Sequence, residues 1–184
     1  MEERLVLQRD ETAVLVIDIQ ERLCAAMDPD GLSRMVPRCR ALIAGAHALG
    51  LPLAVTEQYP KGLGPTIDAI QEAVGDGFRP VEKLDFNACL PGVLSKFGSC
   101  GRVLVCGMET HVCVYQTVRD LVHRGFLPHV CADAVISRTA EDRRVGLELC
   151  AAAGGVITTV EAALFDLLQR AGTPEFKLVS AAVK

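Results

Sequence analysis

The sequence predicts a three-layer α/β/α sandwich built on a doubly wound, mainly parallel sheet of about six strands. Three observations carry that expectation. Short runs of Val, Leu, Ile and Ala alternate with segments of helical periodicity along the chain, as in a parallel sheet covered on both faces. The apolar runs are continuous rather than alternating, which strands buried on both sides require. Half of the 184 residues are hydrophobic but only 4% are aromatic, with no Trp, so the core has to be aliphatic. No repeat or linker interrupts the pattern, and residues 1–184 are expected to form one domain.

The elements follow in order. Residues 12–18 read as a buried first strand ending in the carboxylate of Asp18. Helical spacing then runs over 33–49, with Ser33 as its cap and Gly50 as its stop. Residues 51–56 form a second strand, and 57–65, with two Pro and two Gly, form a loop. A short helix over 66–74 leads to a third strand that closes at Lys83. A helix over 89–97 precedes a fourth strand, 103–106. Helical spacing over 112–123 stops at Gly125, and 127–132 is a fifth strand. A helix over 140–153, a sixth strand over 155–158 and a helix over 160–171 complete the pattern.

Composition narrows the function. The formal net charge is −4, and no basic stretch is interleaved with aromatics, so a nucleic-acid partner is not expected. The acidic first ten residues lack the basic-then-apolar order of a secretory signal. The apolar runs are too short to cross a bilayer, so a soluble cytoplasmic protein is expected. None of the eight cysteines forms a Cys-x-x-Cys pair, and no His follows at zinc-finger spacing. Most of them are expected to be unpaired core residues in a reducing compartment.

In doubly wound sheets the site lies outside the carboxyl ends of the strands. That rule selects Asp18, the loop after Thr56, Lys83, the loop after Gly107, and Asp133 with its neighbours. Cys113 falls at or near the start of a helix, where free backbone N–H groups favour a thiolate and are able to hold an oxyanion. Lys83 is placed to stabilise that thiolate as a nearby positive charge. Asp18, directly after an apolar run, is placed to shuttle a proton if burial raises its pKa. Each has a plainer alternative: a buried core thiol, a surface lysine, and a capping aspartate.

Taken together, three blocks resemble the isochorismatase-like cysteine hydrolase family. They are Val16-Ile-Asp-Ile-Gln-Glu21, Lys83 with Phe86, and Gly107-Met-Glu-Thr-His-Val-Cys-Val114 followed by Gln116-Thr117. Gly125-Phe126 and Asp133-Ala134 with Ser137 fit the same pattern. The resemblance implies that Cys113 is the nucleophile, Asp18 its proton-transfer partner and Lys83 the group that lowers the thiol pKa. It implies an oxyanion hole from the backbone N–H groups of Glu109 and Cys113, with a cis peptide joining Met108 to Glu109. Gln20, Gln58, Phe86 and His111 are expected to line the substrate pocket.

The loop after the second strand, Thr56-Glu-Gln-Tyr-Pro-Lys-Gly-Leu-Gly64, lacks the histidine of the nicotinamidase metal motif. No metal and no cofactor are therefore expected. The expected activity is hydrolysis of a small-molecule amide or ester through a thioester at Cys113, in a homo-oligomer without membrane or nucleic-acid partners. Two alternatives stand beside it: ether cleavage of the isochorismatase type, and a catalytically quiet scaffold. A nucleotide-binding protein is disfavoured because the turn after the first strand contains no glycine.

Overall fold

The computed structural model describes residues 4–184; Met1, Glu2 and Glu3, part of the acidic N-terminal stretch, lie outside the described residues. Six parallel strands carry the fold: β1 (Thr12–Ile17), β2 (Leu53–Gln58), β3 (Val81–Lys83), β4 (Arg102–Met108), β5 (Leu127–Ile136) and β6 (Val156–Thr158). They hydrogen-bond in the order β3-β2-β1-β4-β5-β6. Chain order therefore reverses direction between β1 and β4, the place at whose carboxyl ends ligands bind in open α/β sheets.

Alternation along the central strands divides the core into two. Val14 and Val16 of β1 and Leu104 and Cys106 of β4 point to one face. That face is covered by α2 (Pro29–Leu49), α8 (Val160–Leu168) and α9 (Pro174–Ala182). Leu15 and Ile17, with Val103 and Val105, point to the other face. Here they meet α5 (Pro91–Leu94), α6 (Tyr115–His123) and α7 (Ala140–Ala152). Every residue of β1 is buried, which is why its sequence reads as an unbroken apolar run. All eight cysteines are free and buried, behaving as small core hydrophobes.

Several boundaries differ from the sequence expectation. Helix α2 starts at Pro29 rather than at Ser33, because Asp28 caps it by accepting from the Gly31 N–H at 2.7 Å. Pro29 at the first helical position suits that start, while the Ser33 hydroxyl donates to Asp30 O. The loop over 57–65 contains a turn of helix, α3 (Pro60–Leu63), the short helix expected over 66–74 is α4 (Asp68–Val74), and α1 (Glu21–Ala25) precedes α2. The helix expected over 89–97 is α5 followed by a 3₁₀ turn (Ser95–Phe97). Helix α8 ends at Leu168, where Gln169 turns to φ 60°. Helix α9, which the apolar periodicity did not announce, is capped by Thr173, whose hydroxyl accepts from Phe176 N. Among the described residues no helix is long and apolar enough to cross a membrane.

Candidate active site

Three strand ends bring the chemistry together. Asp18 follows β1 in the left-handed region at φ 51°, a conformation that aspartate tolerates better than most residues. Its N–H donates to Thr56 O at 3.2 Å, and its Oδ1 accepts from the Thr56 hydroxyl at 2.7 Å. Parallel pairing of β2 with β3 sets Lys83 opposite Gln58. This directs the lysine inward, and its Nζ lies 2.6 Å from Asp18 Oδ2 with both side chains wholly buried. The same ammonium donates to Gln58 Oε1 at 2.7 Å, Phe86 O at 3.1 Å and Asp85 O at 3.2 Å. Cys113 Sγ is 3.8 Å away from it.

Cys113 arrives from β4 through an unusual turn. The Met108–Glu109 peptide is cis, and a π-helical turn (Thr110–Val114) follows before α6 begins. Glu109 O closes that turn by accepting from the N–H groups of Val112 and Val114 at 3.1 and 3.2 Å. Thr117 ties the turn to the lysine loop: its hydroxyl donates to Cys113 O at 2.6 Å and accepts from Ala88 N at 2.9 Å.

Burial dominates the electrostatics. It pushes the Asp18 carboxyl above its ordinary value, while the Lys83 charge and hydrogen bonds from Lys83 and Thr56 pull it back. Burial also drives the Cys113 thiol up to about 12, and the Asp18 charge adds to that, while Lys83 opposes it. Asp18, Lys83 and Cys113 thus share one buried cluster in which the thiol is held well above its ordinary range. Lys83 acts on the thiol in the expected direction, lowering its pKa against the larger effect of burial. Lys83 Nζ is 2.6 Å from the carboxylate and 3.8 Å from sulfur, so one cation reaches both groups and acts more strongly on the nearer one.

The remaining predicted residues divide. Gln20 and Gln58 were expected on substrate, but the protein already occupies their amides. Gln20 Nε2 donates to Gln58 O and Gly64 O, and its Oε1 accepts from Gln58 N. Gln58 Nε2 donates to Leu84 O while its Oε1 holds Lys83. The two glutamines form a chain that fixes the lysine. Phe86 is 52% exposed, at the loop whose carbonyls receive Lys83. His111 is half-buried, with Nδ1 3.0 Å from Ser137 Oγ. Glu109 directs its carboxylate away from the cluster, onto Arg138 Nε at 3.0 Å and Arg138 N at 3.1 Å.

Sequence reasoning missed the roles of Thr56, Thr117 and Arg138. Thr117 stands four residues after Cys113, a helical spacing at which a hydroxyl reaches back to a carbonyl, and that signal was available. Among the described residues no group of three or more His, Cys, Asp or Glu side chains is arranged to hold a metal.

Two glycines make the geometry possible. Gly107 adopts φ 116°, and a Cβ there would lie 2.0 Å from Ile17 O, so β4 approaches β1 closely just where Asp18 departs. Gly146 of α7 packs on the π-helical turn: a Cβ would meet His111 N at 2.7 Å and Thr110 C at 2.8 Å. Both are main-chain atoms, so Gly146→Ala has to displace either α7 or the nucleophile turn. We expect it to cost about 1–3 kcal/mol and to lower turnover more than substrate affinity. Thermal unfolding together with a kcat and KM pair checks this; an unchanged Tm and unchanged kcat would show that the contact is not restrictive.

Fold and cluster together describe a three-layer α/β/α sandwich on a parallel sheet, with polar residues gathered at its carboxyl edge. The isochorismatase domain model matches residues 12–162, and the chain belongs to the isochorismatase family. It is 35% identical over 183 residues to the secreted isochorismatase effector Isc1 of Phytophthora sojae, covering 94% of this chain and 84% of that protein. It is 39% identical over 171 residues to isochorismatase domain-containing protein 1 of Danio rerio, covering 91% of this chain but only 59% of that longer protein. Among solved structures, one described as the MAR1 ribonuclease of Caenorhabditis elegans superposes with a TM-score of 0.91. That match has 34% identity and covers 97% of this chain and 92% of the nematode chain.

Proposed function

We propose that the protein is a cysteine-dependent hydrolase of a small-molecule amide or ester, working without a metal or other cofactor. The observation that carries this is the contact of Asp18, Lys83 and Cys113 in one buried cluster. As substrate enters, Cys113 Sγ attacks the carbonyl carbon and its proton passes to the Asp18 carboxylate. The resulting oxyanion takes hydrogen bonds from the N–H groups of Glu109 and Cys113. Collapse expels the amine or alcohol, which leaves with the proton from Asp18, and the acyl group remains as a thioester. Water then attacks, Asp18 takes its proton, and the departing sulfur recovers it as the acid is released. Lys83 holds Asp18 in place as the carboxylate charges and discharges.

Phe86 and His111 remain the pocket residues in this scheme, while Gln20 and Gln58 act through Lys83. We further propose a homo-oligomer in a reducing compartment, where eight free thiols are stable. Tyr59, Leu84 and Phe86 are 51%, 75% and 52% exposed. All three lie on the loops that follow β2 and β3, and they form apolar surface that a neighbouring copy would cover. The YcaC protein of Escherichia coli, which shares this fold at 21% identity, is described as an octameric hydrolase of unknown specificity.

The pH profile follows from Asp18. The base form is needed, and its pKa is raised above 3.8, so activity is lost as pH falls through that raised value. On this scheme kcat/KM for an amide or ester rises with pH through an acid limb lying above the ordinary aspartate range. An acid limb at or below 3.8 would place the general base elsewhere.

A second reading has an observation in its favour. Cys113 is only 5% exposed and its thiol is neutral, as in a closed, catalytically quiet family member. A panel of small amides, esters and isochorismate, with an RNA oligonucleotide as a control prompted by the nematode protein's description, separates the readings. Turnover with a Cys113 acyl adduct, trapped and weighed by mass spectrometry, supports the hydrolase. Ether cleavage without an adduct supports the isochorismatase-type alternative, and no turnover supports the quiet one.

A further inference from the structure

A cavity of about 690 Å³ opens on the opposite side of the nucleophile turn, between the first half of α2, the end of β5, the start of α7 and the end of α9. Asp18, Lys83 and Cys113 do not line it. Its walls carry five cationic side chains, four of them the arginines Arg34, Arg38, Arg138 and Arg143, against two aspartates. In a chain of net charge −4 this is a local reversal of sign.

The pairing of those cations is uneven. Arg138 is neutralised by Glu109, and Arg38 lies 3.9 Å from Asp133. Arg143 is half-buried and donates from Nε to Val135 O at 3.0 Å and from Nη2 to Ala132 O. Both acceptors are carbonyls, so its charge meets no carboxylate there. Arg34 is exposed, and no carboxylate pairs with it among the described residues. A guanidinium held by carbonyls and left without a counter-charge is ready for a carboxylate or phosphate, whose geometry matches its fork.

We propose that this cavity binds a small organic molecule bearing a phosphate or carboxylate group, and that its occupant acts on the catalytic turn. The volume exceeds what inorganic phosphate alone fills and suits a small metabolite. The coupling route is short. Ser137 and Arg138 form part of the cavity wall; the first contacts His111 and the second grips the Glu109 carboxylate. An anion that draws Arg138 off Glu109 loosens the residue whose peptide N–H serves the oxyanion. That second part rests on the hydrolase reading, whereas binding itself does not.

Calorimetric titration of the full chain with inorganic phosphate and with citrate, at low salt, tests the binding. The two probes distinguish a phosphate site from a carboxylate site. Saturable binding is expected with at least one, and Arg34→Glu should weaken it about tenfold or more while leaving Tm and anion-free turnover unchanged. Arg34→Gln, which only neutralises the charge, should give an intermediate loss. No saturable binding of either probe up to about 10 mM, a very weak interaction by any measure, would overturn the proposal. So would binding that Arg34→Glu leaves untouched. Light scattering addresses the remaining occupant: if wild type is oligomeric, Arg34→Glu is monomeric and neither binds anions, the cavity is a subunit contact instead. For the coupling, the bound probe should change the rate of Cys113 alkylation by iodoacetamide severalfold, a readout independent of any substrate. An unchanged rate at saturation would confine the site to binding alone.

Discussion

Replacing Cys113 with serine is expected to lower kcat/KM for the amide or ester substrate by at least about 10³-fold, because it removes the atom that forms the covalent intermediate. The serine hydroxyl is a weaker acid than the thiol, and in this site burial already opposes deprotonation. Asp18 therefore cannot prepare it as a nucleophile. The change is nearly isosteric and leaves the Asp18–Lys83 contact at 2.6 Å, so the fold should persist. Steady-state kinetics, thermal unfolding and intact-mass measurement of the acylated protein check this together. Retention of most of the activity with an unchanged Tm would remove Cys113 from the mechanism.

Lys83→Met should have the largest effect on stability. It leaves the Asp18 carboxylate buried with only the Thr56 hydroxyl and the Cys113 thiol as side-chain hydrogen-bond partners. Breaking a buried ion pair on one side costs about 3–5 kcal/mol. The penalty depends on pH. Without the lysine the folded pKa of Asp18 rises further above its unfolded value near 3.8. Below that unfolded value the carboxyl is neutral in both states and the penalty is absent. As pH rises from there toward the folded pKa, the folded state resists ionisation and stability falls. Denaturant unfolding of Lys83→Met at acid and neutral pH should show this trend, and Asp18→Asn combined with Lys83→Met should restore most of the loss. A loss independent of pH, or unrelieved in the double variant, would mean that the lysine stabilises the fold through its carbonyl contacts at Asp85 and Phe86 rather than through Asp18.

The fold was legible because its signals are local. Continuous apolar strands such as β1, separated by helical periods, point to a buried parallel sheet whatever else the chain does. Chain reversal at the sheet centre then directs attention to the carboxyl ends of β1, β3 and β4, where Asp18, Lys83 and Cys113, the candidates read from the sequence, meet in the structure. Boundaries were less legible where a cap competed with periodicity. Asp28 and Pro29 start α2 ahead of the first strongly periodic residues, and Thr173 with Pro174 starts a helix that the apolar pattern alone did not reveal.

The sequence by itself determined which residues meet, through strand order and the motif around Cys113. Only the tertiary structure decided how closely they meet and what surrounds them. Lys83 sits closer to Asp18 than to sulfur because the pairing of β2 with β3 and the Gln20–Gln58 chain set its nitrogen on the carboxylate side. Gln20 and Gln58 change from expected substrate ligands to supports because their amide groups find protein partners that no spacing rule exhibits. The arginine-lined cavity is likewise a product of folding. Its four arginines come from α2, from the turn between β5 and α7, and from α7 itself, α2 lying about a hundred residues before the other two. Their charge becomes a single field only when the chain is packed, since unpaired charges interact appreciably only within about a Debye length.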